Sequence, residues 1–492
     1  MAYQTLALLA NRVWLLGFQS NMKDPVMQIP ENIHAQVTGA NQSHLFRFWK
    51  VLSSEQRQEL LRQLEMIDWT LIHDLSGNNT ASTEVQLNFA SLEPPSAVRI
   101  GGSGVDWTLA DAKERGEQAL RNGEVGAVMV AGGQGTRLGF GHPKGMFPIG
   151  PLSDRSLFQI FADRLRATNR RYDTRIPLYL MTSDATHVET EAYFQSHDYL
   201  GLDSRDVKIF KQGTMPAVDA ETGQCLLATK SSLALSPDGH GGTLAALERS
   251  GCFRDAEVRG LKQLAYIQVD NPLAQLCDPI LLGHHLLAAS EMTTQVVKKR
   301  YALERVGNVV RLGDRTQIVE YSDLPDHIAT QTDHQGELRF WAGNIAVHVF
   351  DIPFLQRSLS RADSLPFHRA VKKVGYVDDL GVKIEPETPN AIKFERFIFD
   401  LLPSAKNALV VESDPKDSFA PVKNASGAAT DTAELAREAV SELHRGWLRG
   451  LGITVIDDAK VEINPMFALD SAELNGKVTP DQTIATDHYF HS

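Results

Sequence analysis

VGAVMVAGGQGTRLGFGHPKGMFPIG, residues Val125 to Gly150, is the stretch whose reading decides the fold. Ala127 to Val130 is a short apolar run of the kind that forms a strand buried on both faces of a parallel sheet. It empties into a turn carrying Gly132, Gly133 and Gly135, which permits tight backbone geometry and lets amide groups approach an anion closely. Arg137 within the turn and Lys144 after Pro143 add fixed positive charge. Backbone donors with two cations suit a polyphosphate. The turn is not a Walker A loop, because no Gly-Lys-Ser/Thr closes it. Nor is it the dinucleotide fingerprint, because Leu138 stands where the third glycine belongs. Taken alone it is also compatible with an ordinary strand-to-helix connection.

The rest of the composition narrows the class. At 492 residues the chain is long enough for two or three domains. A net charge of −12 argues against a nucleic-acid binder, so a positive surface must be local. Cys225, Cys252 and Cys277 are odd in number and lack CxxC spacing, which points to a reducing, cytoplasmic setting without structural zinc. No apolar run is long enough to span a membrane. The opening MAYQTLALLANRVWLLGF is interrupted by Arg12 and lacks both a basic start and a small-residue cleavage site, so it reads poorly as a signal peptide.

Along the chain, residues 1–42 read as an extension, either disordered or an over-called start with Met22 or Met27 as the true one. Residues 43–110 read as a helical N-terminal region. Leu45, Phe48 and Trp49 are spaced for one helix, and Leu60, Leu61, Leu64 and Ile67 for a second, with a connector from Ser76 to Val105. Residues 111–450 alternate strand and helix patterns, which argues an α/β domain whose ligands bind at strand carboxyl ends. Both the glycine turn and Asp270, which closes the apolar run Leu264 to Val269, fall at such ends. Gln317 to Tyr321 and Phe340 to Phe350 read as an antiparallel insertion covering part of the sheet. Residues 451–492 read as a short β-rich tail, with runs at Ile453 to Ile456 and Val461 to Ile463.

GGQGTRLG followed by PKGMFPIG resembles the signature of the eukaryotic-type UDP-sugar pyrophosphorylases, most closely the branch acting on N-acetylglucosamine 1-phosphate. The resemblance runs from about Ser43 to about Leu474. It implies a Rossmann-like nucleotidyltransferase fold with a mixed, mainly parallel sheet, a helical N-terminal layer and a β-rich C-terminal region, longer in the family than 451–492. It implies UTP and a sugar 1-phosphate as small-molecule substrates and Mg²⁺ as cofactor, and leaves the oligomeric state open.

The resemblance also assigns residues. Arg137 and Lys144 would hold the triphosphate in the loop of Gly132, Gly133 and Gly135. Lys423, in FAPVKNA, would contact the phosphates at the reacting centre. Asp270 would be the metal ligand and Asn271 a sugar contact. A lone Asp-Asn at a strand end is equally an Asx-turn that terminates the strand. Lys211-Gln212-Gly213 and PDGHGG resemble the nucleotide-pocket segments, implicating Gln212, Gly241 and Gly242. His240, where the family often has Asn, is given no role. Glu320 in EYS, Asn344 in GNI and Gly307 in ERVGNVV match residues lining the sugar pocket. Lys393, in PNAIKFE, matches a lysine at the edge of the site, and His284 and His285 read as structural. Two alternatives remain open: a UDP-glucose or broad-specificity enzyme, and a sugar-nucleotide-binding regulator without turnover.

Overall fold

The computed structural model describes residues 28–76, 88–359 and 365–491. The expected N-terminal extension therefore falls mostly outside the described residues. Where it enters them it is ordered: Glu31–Gly39 forms a helix (α1) that buries Ile33 and Val37. The chain divides into two compact units, neither of which follows the expected linear boundaries.

The smaller unit combines residues 28–76 with Pro216–Leu235 and Val371–Ile392. Ser54–Glu65 (α2) starts at a capping box in which the Ser53 hydroxyl accepts the Gln56 amide, and it buries Leu60, Leu61 and Leu64. Trp69–Ser76 (α3) follows. The spacing of Leu45, Phe48 and Trp49 does not yield an α-helix; the segment forms two short 3₁₀ turns, Ser43–Phe46 and Trp49–Val51. Side-chain amides of the N-terminal layer tie in the returning segments. Gln42 Oε1 accepts the Cys225 amide at 2.8 Å and Gln63 Oε1 accepts that of Leu233 at 2.8 Å.

The larger unit takes the remaining residues, including 88–110 and the C-terminal tail. It is built on one ten-stranded mixed sheet. In chain order its strands are Leu92–Glu93 (β1), Val125–Val130 (β2), Leu178–Thr182 (β3), Val207–Lys211 (β4), Gln263–Gln268 (β5), Met292–Lys298 (β6), Asn308–Leu312 (β7), Arg315–Val319 (β8), Ala342–Asp351 (β9) and Ala408–Ser413 (β10). β5, β2, β3 and β4 lie side by side and parallel, and β10 is parallel to β6. β9 pairs antiparallel with β5 and β6, and β7 antiparallel with β8. The expected antiparallel insertion is therefore not a cover. Its strands are members of the main sheet, and β1, from the supposed connector, pairs with β7.

Both faces of the parallel part are covered, as its continuous apolar runs require. Val125, Ala127 and Met129 of β2 enter one core with Leu178 and Leu180 of β3, and Val128, Tyr179 and Met181 enter the other. Helices Leu109–Arg121 (α4), Leu157–Tyr172 (α5), His187–Ser196 (α6), Thr243–Arg249 (α7) and Pro279–Leu287 (α8) supply layers, and Ala433–Gly450 (α9) leads into the tail. The tail pairs Thr454–Val455 with Thr483–Ile484 and Val461–Ile463 with His488–Phe490, over a small core including Val461, Ile463 and Leu474. Glu462, 4% exposed, is held by the amides of Leu152 and Ser153, each at 2.7 Å, so this buried carboxylate is fully engaged.

α4 and α8 touch backbone to backbone. A Cβ on Gly283 would lie 1.6 Å from Ala112 O, and one on Gly116 would lie 1.8 Å from Pro279 O. Glycine in mid-helix is locally unfavourable, so close packing is what these positions gain. Gly283→Ala should force the helices apart and destabilise the protein by about 1–3 kcal/mol, read as a lowered Tm. An unchanged Tm would show that the crossing relaxes freely.

Candidate active site

β2 and β5 run in register, Val125 opposite Gln263 and Val130 opposite Gln268, so the chain leaves both strands at one edge. From β2 comes the glycine loop. It folds back on itself: Gly135 donates its amide to His142 O at 2.9 Å, and Lys144 donates to Gly133 O at 3.0 Å. Among the described residues the amides of Gly132, Gly133, Gln134, Thr136 and Arg137 have no acceptor. Successive free amides in one glycine loop are the kind of donor set that can bind phosphate oxygens. Gly132 is required for close approach, since a Cβ there would lie 2.9 Å from Gln212 Oε1. Gln212 thus packs against the loop, next to β4.

Lys144 and Asp270 meet across the edge, Nζ to Oδ2 at 3.9 Å. Burial is the main cause holding the Lys144 ammonium below its usual range. Asp270 opposes that shift, while the charges of Lys423 and Arg137 add to it. Groups from three separate segments therefore share one electrostatic field, with Lys423, Arg137 and Asp270 all acting on Lys144. Lys423 reaches this place because its segment is sewn to the strand end: Val422 donates its amide to Asp270 O at 2.8 Å.

The structure gives Asn271 another job than the expected sugar contact. It is 3% exposed; its amide nitrogen donates to Ser418 O at 2.7 Å, and its Oδ1 accepts the Ala420 amide at 3.0 Å. Asn271 is the clamp that fixes the Lys423 segment. Gly241 and Gly242 likewise have their amides occupied within the protein, on Arg396 O at 2.7 Å and Gly239 O at 3.1 Å. A Cβ on Gly242 would lie 2.2 Å from Asp238 Oδ1, so these glycines shape a wall and do not donate to a nucleotide. His240 stacks on Phe397 and its Nδ1 accepts the Ile398 amide at 3.2 Å.

Gly307, Glu320 and Asn344 do come together. A Cβ on Gly307 would lie 3.3 Å from Glu320 Oε1 and 3.7 Å from Asn344 Cβ. A bulge aims Asn344: the β6–β9 register shifts at Val296, Ala346 takes φ +56°, and Asn344 Oδ1 accepts the Ala346 amide at 3.0 Å. The Glu320 carboxyl is pushed up to about 7, first by burial and then by Asp323, against the opposing pull of His368 and Lys423. Lys423 is thus felt from both the Asp270 side and the Glu320 side.

Sequence reading missed three contributors. Asp431 accepts the amides of Lys423 and Asn424 on its carbonyl at 2.8 and 3.0 Å, and burial raises its carboxyl against Lys423 and Arg300. In sequence it merely precedes Thr432, the cap of α9. His368 and Asp400, bonded at 2.9 Å, stand in the field of Glu320. Nothing local to either marks them.

The arrangement fits one class, a nucleotidyltransferase, with a cation-rich glycine loop on one side and a polar pocket on the other. A sequence family described as UTP–glucose-1-phosphate uridylyltransferase matches residues 78–447, and this chain belongs to that family. It is 35% identical over 461 residues to UDP-N-acetylhexosamine pyrophosphorylase-like protein 1 of Xenopus tropicalis, covering 90% of this chain and 88% of that one. It is 35% identical over 466 residues to UDP-N-acetylglucosamine pyrophosphorylase of Saccharomyces cerevisiae, covering 89% and 96%. The solved uridine diphosphate N-acetylglucosamine pyrophosphorylase of Trypanosoma brucei, in complex with inhibitor, superposes with a TM-score of 0.80 at 25% identity, covering 95% and 99%.

A carboxyl whose pKa is raised on folding stabilises the protein below its unfolded value, and that contribution is lost as pH rises through the folded value. For Glu320 the window runs from the ordinary carboxylate range to about 7. Glu320→Gln should therefore gain Tm relative to the parent as pH rises from 5 to 8, with the two curves converging below pH 5. Parallel Tm–pH curves would place Glu320 in open solvent.

Proposed function

We propose that the protein forms a UDP-sugar and pyrophosphate from UTP and a sugar 1-phosphate, with N-acetylglucosamine 1-phosphate as the preferred sugar. The single observation that carries this reading is that Lys144, ion-paired with Asp270, shares its field with Arg137 and Lys423 beside a loop of unpaired amides. Cations held this close repel one another, and a polyanion would relieve that repulsion. The relatives named for N-acetylglucosamine support the sugar, as does the Gly307–Glu320–Asn344 pocket; the UDP-glucose pyrophosphorylase of Leishmania major is 16% identical and shows the fold alone.

A sugar 1-phosphate is already nucleophilic at neutral pH, so no general base is required. Its phosphate oxygen forms a bond to the α-phosphorus of UTP while the bond to the bridging β-oxygen breaks, and the electron pair leaves with pyrophosphate. Arg137, Lys144 and the free loop amides would hold the β- and γ-phosphates. Lys423 would neutralise charge where the two phosphates approach, and Asn271 and Asp431 would keep it there. Catalysis is then positioning and charge neutralisation. The non-catalytic alternative has no observation in its favour, since every cation the reaction needs is in place.

Asp270 is the residue that would hold Mg²⁺. Among the described residues no three carboxylate, His or Cys groups gather as a metal cage. A single partly open carboxylate beside a triphosphate site nevertheless fits Mg²⁺, which takes one or two carboxylates and completes its shell with phosphate oxygens and water. The ion would supply neutralisation of phosphate charge. No described helix is long and apolar enough to cross a membrane, and the three cysteines are unpaired and buried, which supports a cytoplasmic setting.

The reading is tested by pyrophosphate release from UTP with a panel of sugar 1-phosphates. N-acetylglucosamine 1-phosphate should exceed glucose 1-phosphate by roughly tenfold to a hundredfold in kcat/KM, since leaving polar site groups unpaired costs ~1–3 kcal/mol. Asn344→Ala should erode that preference more than it weakens UTP. Equal use of both sugars would move the assignment to a broad UDP-sugar enzyme, and no release with any sugar would remove the activity.

Metal dependence is read separately. Verified removal of divalent ions should abolish turnover, Mg²⁺ should restore it, and Asp270→Ala should raise the Mg²⁺ concentration needed for half-restoration. Full activity of the metal-free protein would refute the role given to Asp270.

A further inference from the structure

Away from the residues assigned to UTP and sugar, a cavity of about 240 Å³ opens between α4, α5, the turn that follows Asn271, and α9 with the chain beyond it. Its lining is mixed: Leu273, Leu276, Leu443, Trp447, Ile463 and Leu469 supply an apolar part, beside polar and charged side chains. Arg164 lies on its wall, as does Lys113. Arg164 donates from Nη1 to Ala274 O at 2.7 Å and lies over the Phe161 ring at 5.6 Å, while the nearby Asp163 is taken by Arg155 and Arg166, and among the described residues Arg164 forms no ion pair.

Several other polar groups on the cavity are committed elsewhere. Asp278 accepts the Ile280 amide at 3.0 Å as the cap of α8, and Asp470 takes Arg171 at 2.6 Å. Lys113 lies in the field of both these carboxylates. Thr168 donates to Arg164 O at 2.8 Å, and His444 Nδ1 accepts the Ile463 amide at 3.1 Å. Burial alone pushes the Arg164 guanidinium down to about 10. A half-buried cation without a paired carboxylate carries a desolvation cost that a bound anion would offset.

We propose that this cavity is a second binding site, one that takes a small monocarboxylate with an apolar body, its carboxylate paired with the Arg164 guanidinium. A carboxylate matches the planar fork of arginine, and the volume admits a body of roughly ten non-hydrogen atoms. Asp278 and Asp470 on the same wall disfavour a multiply charged phosphate, so the site is distinct in chemistry from the catalytic one.

The site is regulatory. Arg164 holds Ala274 O, Ala274 donates its amide to Asn271 O at 3.0 Å, and Asn271 clamps the segment that carries Lys423. A ligand that draws the guanidinium off Ala274 loosens this chain, so occupancy should lower kcat with little change in the KM for UTP.

The test uses the full-length protein with 3-phenylpropionate as probe in titration calorimetry, a measurement independent of the assigned activity. Saturable binding in the millimolar range or tighter is expected. The uncharged 3-phenylpropanamide should bind at least tenfold more weakly. Arg164→Met should weaken the acid at least tenfold, and Leu469→Trp, which fills the cavity, should remove binding even if the arginine variant fails to fold. Absence of saturable binding overturns the site. So does equal affinity for acid and amide, undiminished binding by Leu469→Trp, or displacement of the probe by inorganic phosphate, which would place it among the catalytic cations. Saturation without a fall in kcat overturns the regulatory role.

Discussion

The in-register parallel pairing of β2 with β5 is the constraint on which the cleft depends. Val130 lies opposite Gln268, and Val269 donates its amide to Val130 O at 3.0 Å. The two chains therefore leave the sheet together, one as the glycine loop and the other as Asp270. Lys144 can face Asp270 only if that edge is level. The pairing is strongly specified because both faces are buried. A slip of one residue would turn Ala127 and Met129 toward the core that now receives Val128, and every neighbour on β3 and β5 would meet the wrong partner.

Electrostatics then sets what the edge can do. The chain carries a net charge of −12, yet its cleft concentrates Arg137, Lys144 and Lys423. A desolvated lysine among like charges is destabilising, and Asp270 only partly opposes the burial, Lys423 and Arg137 that act on Lys144. Such a cluster is stable only because the backbone beneath it is over-determined: Asn271 bonds 418 and 420, Asp270 bonds 422, and Asp431 bonds 423 and 424. The side chains are held ready for a polyanion that neutralises them, which is preorganisation in the sense relevant to phosphoryl transfer.

Legibility of the sequence followed how local each feature is. The glycine loop, the apolar strand before it and the Asp at the end of β5 are contiguous patterns whose chemistry is carried by neighbours, and the structure places Arg137, Lys144, Lys423 and Asp270 in one field. Alternation in Gln317 to Tyr321 and Phe340 to Phe350 gives the faces of strands but not their partners, so strands of the main sheet read as a cover. Residue type did not give direction. Asn271 was legible as polar at a strand end, but not as turned inward to hold a loop nearly 150 positions away. The smaller unit was illegible as a whole, because segments around 30–76, 216–235 and 371–392 meet only in three dimensions.

The two halves of the sheet divide the chemistry between them. The proposed phosphate site lies where parallel strands end, because such ends leave loop amides free. The proposed sugar pocket lies on antiparallel strands: Gly307 precedes β7, Glu320 follows β8, and Asn344 lies in β9 beside a bulge. An antiparallel edge can absorb bulges and substitutions without moving β2 against β5, since β9 alone joins it to the parallel part. Sugar choice can therefore change while the phosphate site stays fixed, with Lys423, sensed by both Asp431 and Glu320, as the group common to both halves. That separation gives a physical reason why one fold serves relatives that differ in their sugar.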